Sequence, residues 1–341
     1  MLIRNQTADV LKGIGILLMI QVHVLELFAT NDVYVSSLGK FLLFLGGPPV
    51  APVFMIVFGY FIASSNKSNS QLIIRGIKIF LLGMLLNLAL NFNLIFNFIQ
   101  GKIHVDIWPY VFGVDILQFA GISMIVITLC KRVVKRYIIL GFILVVVCSL
   151  LGEFLLNYVP ENITLKYASA FLYGSSEWSY FPLLPWMSYP LAGILWHQLQ
   201  QRYDFGFLFL RKNKILLGTA FLLFLILTIK YAISISSQLP LYYHHGTLFF
   251  MWIIIFLVFY SIMIHEINYL IGETKVIKYL MWLGKNVTII YVIQWIIIGN
   301  IATEIYKSLS SPLYLIISVI VVFLLSISIC YSLLKLKRSL F

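Results

Sequence analysis

Long apolar runs recur along the chain, and short polar or basic stretches separate them. About twenty apolar residues cross the hydrocarbon of a bilayer as a helix. Ten runs reach that length, near residues 9–29, 41–63, 72–97, 110–130, 137–157, 181–198, 214–233, 246–265, 283–301 and 312–334. The pattern predicts an all-α, polytopic bundle of about ten transmembrane helices, with residues 1–341 forming a single transmembrane domain. The sixth run contains Pro182, Pro185 and Pro190. Proline removes a backbone donor and clashes with the preceding turn, so a break or kink is expected there.

Composition agrees with this picture. Of 341 residues, 61% are hydrophobic and 11% charged, and the mean hydropathy is +0.99. A soluble domain would carry about 25% charged residues. No polar segment is long enough for a separate soluble domain. The net charge of +12 would raise nucleic acid as a partner of a soluble protein. In a polytopic chain it reflects the enrichment of basic residues in cytoplasmic loops, and no nucleic-acid partner is expected. The first run is long and no small-residue cleavage site follows before Phe28, so it reads as a span rather than a cleaved signal peptide. Cys130, Cys148 and Cys330 lie in or beside apolar runs without a CxxC pattern. Neither a disulfide framework nor a cysteine metal site is expected. Asn162-Ile163-Thr164 matches the glycosylation acceptor pattern, a weak three-residue signal.

The basic residues set the orientation. The termini and the loops after even-numbered runs hold Arg4; Lys67, Arg75 and Lys78; Lys131, Arg132, Lys135 and Arg136; Arg202, Arg211, Lys212 and Lys214; Lys275, Lys278 and Lys285; and Lys335, Lys337 and Arg338. The loops after odd-numbered runs hold one each: Lys40, Lys102, Lys166, Lys230 and Lys307. This 18-to-5 split alternates at every loop and predicts both termini in the cytoplasm. Lys12 then lies near the cytoplasmic face and His23 in the outer half of the first span. Arg75 and Lys78 fall at the cytoplasmic start of the third span. Asp115 is expected about one and a half turns below the outer end of the fourth, near the level of His23. Residues 158–180 form the longest outer loop.

Three polar constellations stand out. The first run, DVLKGIGILLMIQVHVLELF, carries Asp9, Lys12, Gln21, His23 and Glu26. Ionisable groups inside a bilayer are costly and normally face a bundle interior or a cavity. Lys12 and His23 are separated by about three turns plus 20°, so they share a face roughly 16 Å apart. Glu26 can touch His23 one turn on. The stripe fits proton chemistry, and it equally fits a structural role in which Lys12 snorkels and His23 bonds Glu26. Arg75-Gly-Ile-Lys78 places two cations one turn apart, which suits a phosphate-rich ligand and also ordinary cytoplasmic charge bias. Asp115, in GVDILQF, suits either proton transfer or an ion pair with a neighbouring span. Of the other histidines, His244-His245 alone is weak evidence for a metal. His197 and His265 fall at cytoplasmic helix ends, and no metal is expected.

In order along the chain, these residues resemble acyltransferase family 3 and the wider superfamily that includes heparan-glucosaminide N-acetyltransferases. That family's first span carries a basic residue, ten residues, then His, matched by Lys12 and His23. Its small-residue-Gly-Phe-like stretch is similar to FGYFIA at 58–63. Its basic-x-x-basic pair is matched by Arg75 and Lys78. GVDILQFAGISMI (113–125), FPLLPWMSYPLAGI (181–194) and LGKNVTIIYVIQW (283–295) resemble later spans. Two departures stand out. Many relatives have His where this chain has Gln294, and the second basic position is Lys78 rather than Arg, which loses the bidentate fork.

The resemblance implies an integral membrane acyltransferase of the bacterial plasma membrane. It would move an acyl group, usually acetyl, from cytoplasmic acyl-CoA to a hydroxyl or amine of a sugar or lipid-linked glycan. Lys12, Arg75 and Lys78 would bind the acyl-CoA phosphates. His23 would act as general base or be acylated transiently, oriented by Glu26 or by Asp115. The alternative is a non-enzymatic transporter or flippase using the same groups as a proton relay. Thiol release from acyl-CoA separates the two. A purely structural scaffold explains neither the stripe nor the cation cluster.

Overall fold

A computed structural model describes residues 6–174 and 176–339. Arg4 and Ser175 lie outside the described residues, as do the side chains of Lys131, Arg132, Lys135, Arg211 and Arg338. The chain opens with α1 (Gln6–Phe28), α2 (Asn31–Val35), α3 (Ser37–Gly46), α4 (Ala51–Ser64), α5 (Asn69–Leu90), α6 (Phe92–Ile99) and α7 (Trp108–Val111). Next come α8 (Ile116–Arg136), α9 (Ile138–Leu155), α10 (Ile163–Leu172), α11 (Leu183–Trp186) and α12 (Ser188–Arg202). It ends with α13 (Arg211–Ser236), α14 (Leu239–Tyr243), α15 (Thr247–Ile271), α16 (Lys275–Lys285), α17 (Val287–Ile305) and α18 (Pro312–Ser339). Among the described residues there is no strand, only single bridges joining Ala29 to Leu309 and Val114 to Ser179.

The protein is therefore an all-α helical membrane bundle, and the predicted runs correspond to its helices. Among the described residues, eight helical stretches are long and apolar enough to cross a bilayer. Two predicted runs differ from that ideal. The sixth is broken as its prolines require, with the backbone leaving the helical region at Leu184, inside α11. The fourth begins only at Ile116, and its apolar part ends at Cys130. The third run also divides, into α5 and α6. At the division the Asn91 amide donates to the Asn87 carbonyl at 2.9 Å, and the Asn93 backbone N–H donates to Asn300 Oδ1 at 2.9 Å. The Asn300 contact satisfies a backbone donor that the interruption frees, and the Asn91 side chain adds a second bond to a carbonyl that already accepts from the Asn91 N–H.

The chain forms two compact units. The first comprises residues 1–53, 86–111 and 260–341, and the second residues 54–85 and 112–259. The first unit is built on α1, which packs against α3, α16, α17 and α18. Ile16, Ile20, Val24 and Phe28, spaced four apart, are all at most 1% exposed, so one ridge of α1 is fully covered. Glycine lets α1 and α16 approach closely. A Cβ on Gly13 would collide with the Leu280 carbonyl, and one on Gly284 with the Asp9 carbonyl.

In the second unit, α9 packs on α8, α11 and α12. Its core is aromatic: Trp186 and Tyr189 are fully buried. Of the described side chains of α13 only Ala232 and Ser236 are buried within the chain, as expected of a lipid-facing helix.

Candidate functional site

The first unit contains the stripe on α1. Near its start, Asp9 is buried and Lys12 Nζ pairs with Asp9 Oδ1 at 2.9 Å, with the Lys12 side chain 14% exposed. A buried cation needs a partner to offset its desolvation, and a carboxylate one turn earlier on the same helix supplies it. Lys12 thus carries its counter-ion with it.

Three turns on, His23 is gripped by two consecutive residues of α17. Its Nδ1 lies 3.2 Å from Gln294 Oε1 and 3.0 Å from Gln294 Nε2. Its ring stacks on Trp295, with centroids 4.1 Å apart and planes inclined by 28°. Tyr291 meets Trp295 edge-on at 6.5 Å. Gln294 is fully buried, while His23 is half-buried. Among the described residues, His23 Nε2 makes no hydrogen bond. The Trp295 indole N–H is buried and has no partner among them either.

The expected orienting role of Glu26 is corrected by this geometry: the hydrogen bonds of the imidazole go to Gln294 and not to Glu26. Glu26, in the last turn of α1, interacts with Tyr34 and Lys307 just beyond the helix. With burial it helps push the Tyr34 hydroxyl above its ordinary range, and it opposes the lowering of Lys307 by burial. Lys307 Nζ sits 4.2 Å from the Tyr34 ring centroid, a cation–π contact. Lys307 itself has φ +53°, and its N–H donates to the Leu27 carbonyl at 2.9 Å.

The remaining predicted residues belong to the second unit. Arg75 and Lys78 lie on the second and third turns of α5, both exposed. Among the described residues neither makes a hydrogen bond or ion pair. The helix expected to contain Asp115 starts just after it. Asp115 is the residue before α8, where Oδ1 accepts from the Ile116 N–H at 2.7 Å and Gln118 Oε1 accepts from the Asp115 N–H at 3.3 Å. The helix starts late because Val114 pairs with the Trp178–Phe181 segment, placing Asp115 at a helix end where a carboxylate caps exposed donors.

The second unit also holds the His244-His245 pair. His245 is buried, with Nε2 2.7 Å from the Tyr189 hydroxyl and Nδ1 2.8 Å from the Tyr242 carbonyl. Burial lowers the pKa of His245 to about 4, and that of His244 to about 4. With both His245 nitrogens engaged, the pair does not present two free ligands to a metal.

Sequence reasoning did not find the Gln294–Trp295 grip. The signal was the departure at Gln294 itself: a buried carboxamide in an apolar span needs a partner, and an intramembrane imidazole is a fitting one.

Fold and site together define a multi-pass membrane protein with an imidazole held between helices, one ring nitrogen of which has no hydrogen bond among the described residues. A family model described as an acyltransferase domain matches residues 5–331. The chain belongs to acyltransferase family 3 and is a membrane acyltransferase. No curated protein and no solved structure matches it.

Proposed function

We propose that this protein moves an acyl group, most simply acetyl, from cytoplasmic acyl-CoA to a hydroxyl or amine of a sugar or lipid-linked glycan, with His23 as general base. The observation that carries the reading is the state of the His23 ring. Nδ1 and one face are held by Gln294 and Trp295, while Nε2 makes no hydrogen bond within the described chain.

In the proposed reaction Nε2 takes the proton from the acceptor O–H or N–H as the heteroatom attacks the thioester carbonyl. The tetrahedral intermediate then collapses, the C–S bond breaks, and the departing thiolate recovers the proton from the imidazolium. The products are the acylated acceptor and free CoA. Arg75 and Lys78 are assigned to the CoA phosphates because both are exposed cations without a partner among the described residues. Lys12 joins them with its charge largely offset by Asp9. Glu26 and Asp115 are assigned supporting electrostatic roles.

The decisive measurement is single-turnover acyl transfer by His23→Gln, with folding checked by thermal melting. Loss of transfer with acyl-CoA binding retained is expected; a rate near wild type would reduce His23 to a structural residue. The resemblance favours the bacterial plasma membrane, and the 18-to-5 charge split favours both termini in the cytoplasm. An impermeant thiol reagent applied outside should label a cysteine at Glu161 and spare one at Ser68. The reverse pattern would invert the orientation.

A further inference from the structure

Gln294 bears on which nitrogen of His23 can take a proton. A neutral imidazole has one N–H and one acceptor nitrogen. Both heteroatoms of the Gln294 carboxamide lie within bonding distance of Nδ1, at 3.2 Å for Oε1 and 3.0 Å for Nε2. Two arrangements therefore satisfy the contact. In one, the carboxamide NH2 donates to Nδ1, the ring proton sits on His23 Nε2, and the open nitrogen has no lone pair for a substrate proton. In the other, Nδ1–H donates to Oε1, and Nε2 presents its lone pair.

Proton uptake discriminates between them. The imidazolium has N–H groups at both nitrogens, so only the Gln294 oxygen can satisfy Nδ1–H in that state. With Oε1 facing the ring, a single arrangement serves both protonation states. The opposite orientation would require a fully buried carboxamide to rotate in every turnover, against close packing. Trp295, stacked on the ring at 4.1 Å, restrains the imidazole from turning instead.

We infer that Gln294 is a positioning residue that accepts a hydrogen bond from His23 Nδ1–H through Oε1, holding the tautomer in which Nε2 is the base. This rests on the reading of His23 as the base.

The test is the rank order of variants in steady-state and single-turnover transfer, expressed per folded molecule with acyl-CoA binding as a check. Gln294→Met matches the size of Gln and has no comparable acceptor. It should lower kcat about 10- to 100-fold, the loss expected for a hydrogen bond to a group that becomes charged, with KM for acyl-CoA unchanged. Gln294→Glu retains an acceptor for Nδ1–H and should turn over faster than the Met variant. A packing role predicts the opposite order, because an apolar isostere is tolerated better than a buried carboxylate. If the Glu variant does not fold, Gln294→His takes its place as the acceptor-bearing variant. The inference is overturned if the Met variant keeps at least half of the wild-type kcat, or if it outperforms the acceptor-bearing variant. Those results alongside an inactive His23→Gln would remove only the role of Gln294. An active His23→Gln would remove the base itself.

Discussion

His23 and His245 are both held by helices of a membrane protein, and they differ in how many ring nitrogens the fold consumes. His245 has none to spare: Tyr189 takes Nε2 and the Tyr242 carbonyl takes Nδ1. His23 gives up Nδ1 to Gln294 and leaves Nε2 unengaged among the described residues. A histidine whose two nitrogens are both satisfied inside the protein ties elements together, and proton exchange would break that tie. A histidine held at one nitrogen and one face is oriented yet still able to exchange a proton. The same contrast separates the cations. Lys12 carries Asp9 as counter-ion, whereas Arg75 and Lys78 have no partner among the described residues.

The largest effect should come from His23. A lost general base lowers the rate on the order of 10²- to 10⁴-fold, so His23→Gln should fall in that range while its melting temperature stays near wild type. His245 should show the reverse. His245→Phe leaves the Tyr189 hydroxyl and the Tyr242 carbonyl without their partner, at about 1–3 kcal/mol for each buried group. The variant should melt earlier, with the transfer rate per folded molecule within about twofold of wild type. A large rate loss in the folded His245 variant would erase the distinction between the two histidines.

Acid sharpens the comparison further. The pKa of His245 falls from 6.5 to about 4 on folding, because burial disfavours the cation. Above pH 6.5 the ring is neutral in both states, and its contribution to stability is complete. Between pH 6.5 and about 4 the unfolded chain binds the proton and the folded chain does not, so stability falls as pH falls. The loss approaches about 3 kcal/mol, at 1.36 kcal/mol per pH unit. His244 shifts in the same direction. Melting temperature should therefore drop across this window, and His245→Phe should flatten part of the drop. An unchanged slope in the variant would place the acid sensitivity elsewhere.

The smallest effect concerns the open cations. Arg75→Ala or Lys78→Ala should raise the KM for acyl-CoA about 10- to 150-fold, as expected for a charge-assisted contact of about 1.5–3 kcal/mol. Acceptor affinity should change far less. A rise below twofold for both variants, with folding intact, would leave these residues only a topological role.

Much of the fold was legible along the chain because a bilayer accepts few solutions. A run of about twenty apolar residues has to satisfy its own backbone, and a helix does so. Pro182, Pro185 and Pro190 announced a break in the sixth run, which falls at Leu184, since proline inside a helix removes a backbone donor and clashes with the preceding turn. The start of α8 after Asp115 escaped the local pattern for the opposite reason. That start depends on the pairing of Val114 with the Trp178–Phe181 segment, and no local pattern records a partner some 65 residues away. Lys12 and Asp9 stood one turn apart in the sequence, yet only the structure shows that they pair.

By itself the sequence determined that the chain is a polytopic helical bundle, that one basic–histidine stripe lies on its first span, and which family it resembles. The first two follow from periodicity and composition, which are local, and the resemblance rests on motifs in order along the chain. Tertiary structure alone decided what holds His23. Gln294 lies 271 positions further on, and whether an imidazole meets a carboxylate on its own helix or a carboxamide on another depends on how α1 and α17 pack. Side-chain direction after packing, rather than spacing along one helix, selects the hydrogen-bond partner, and with it the nitrogen left for chemistry.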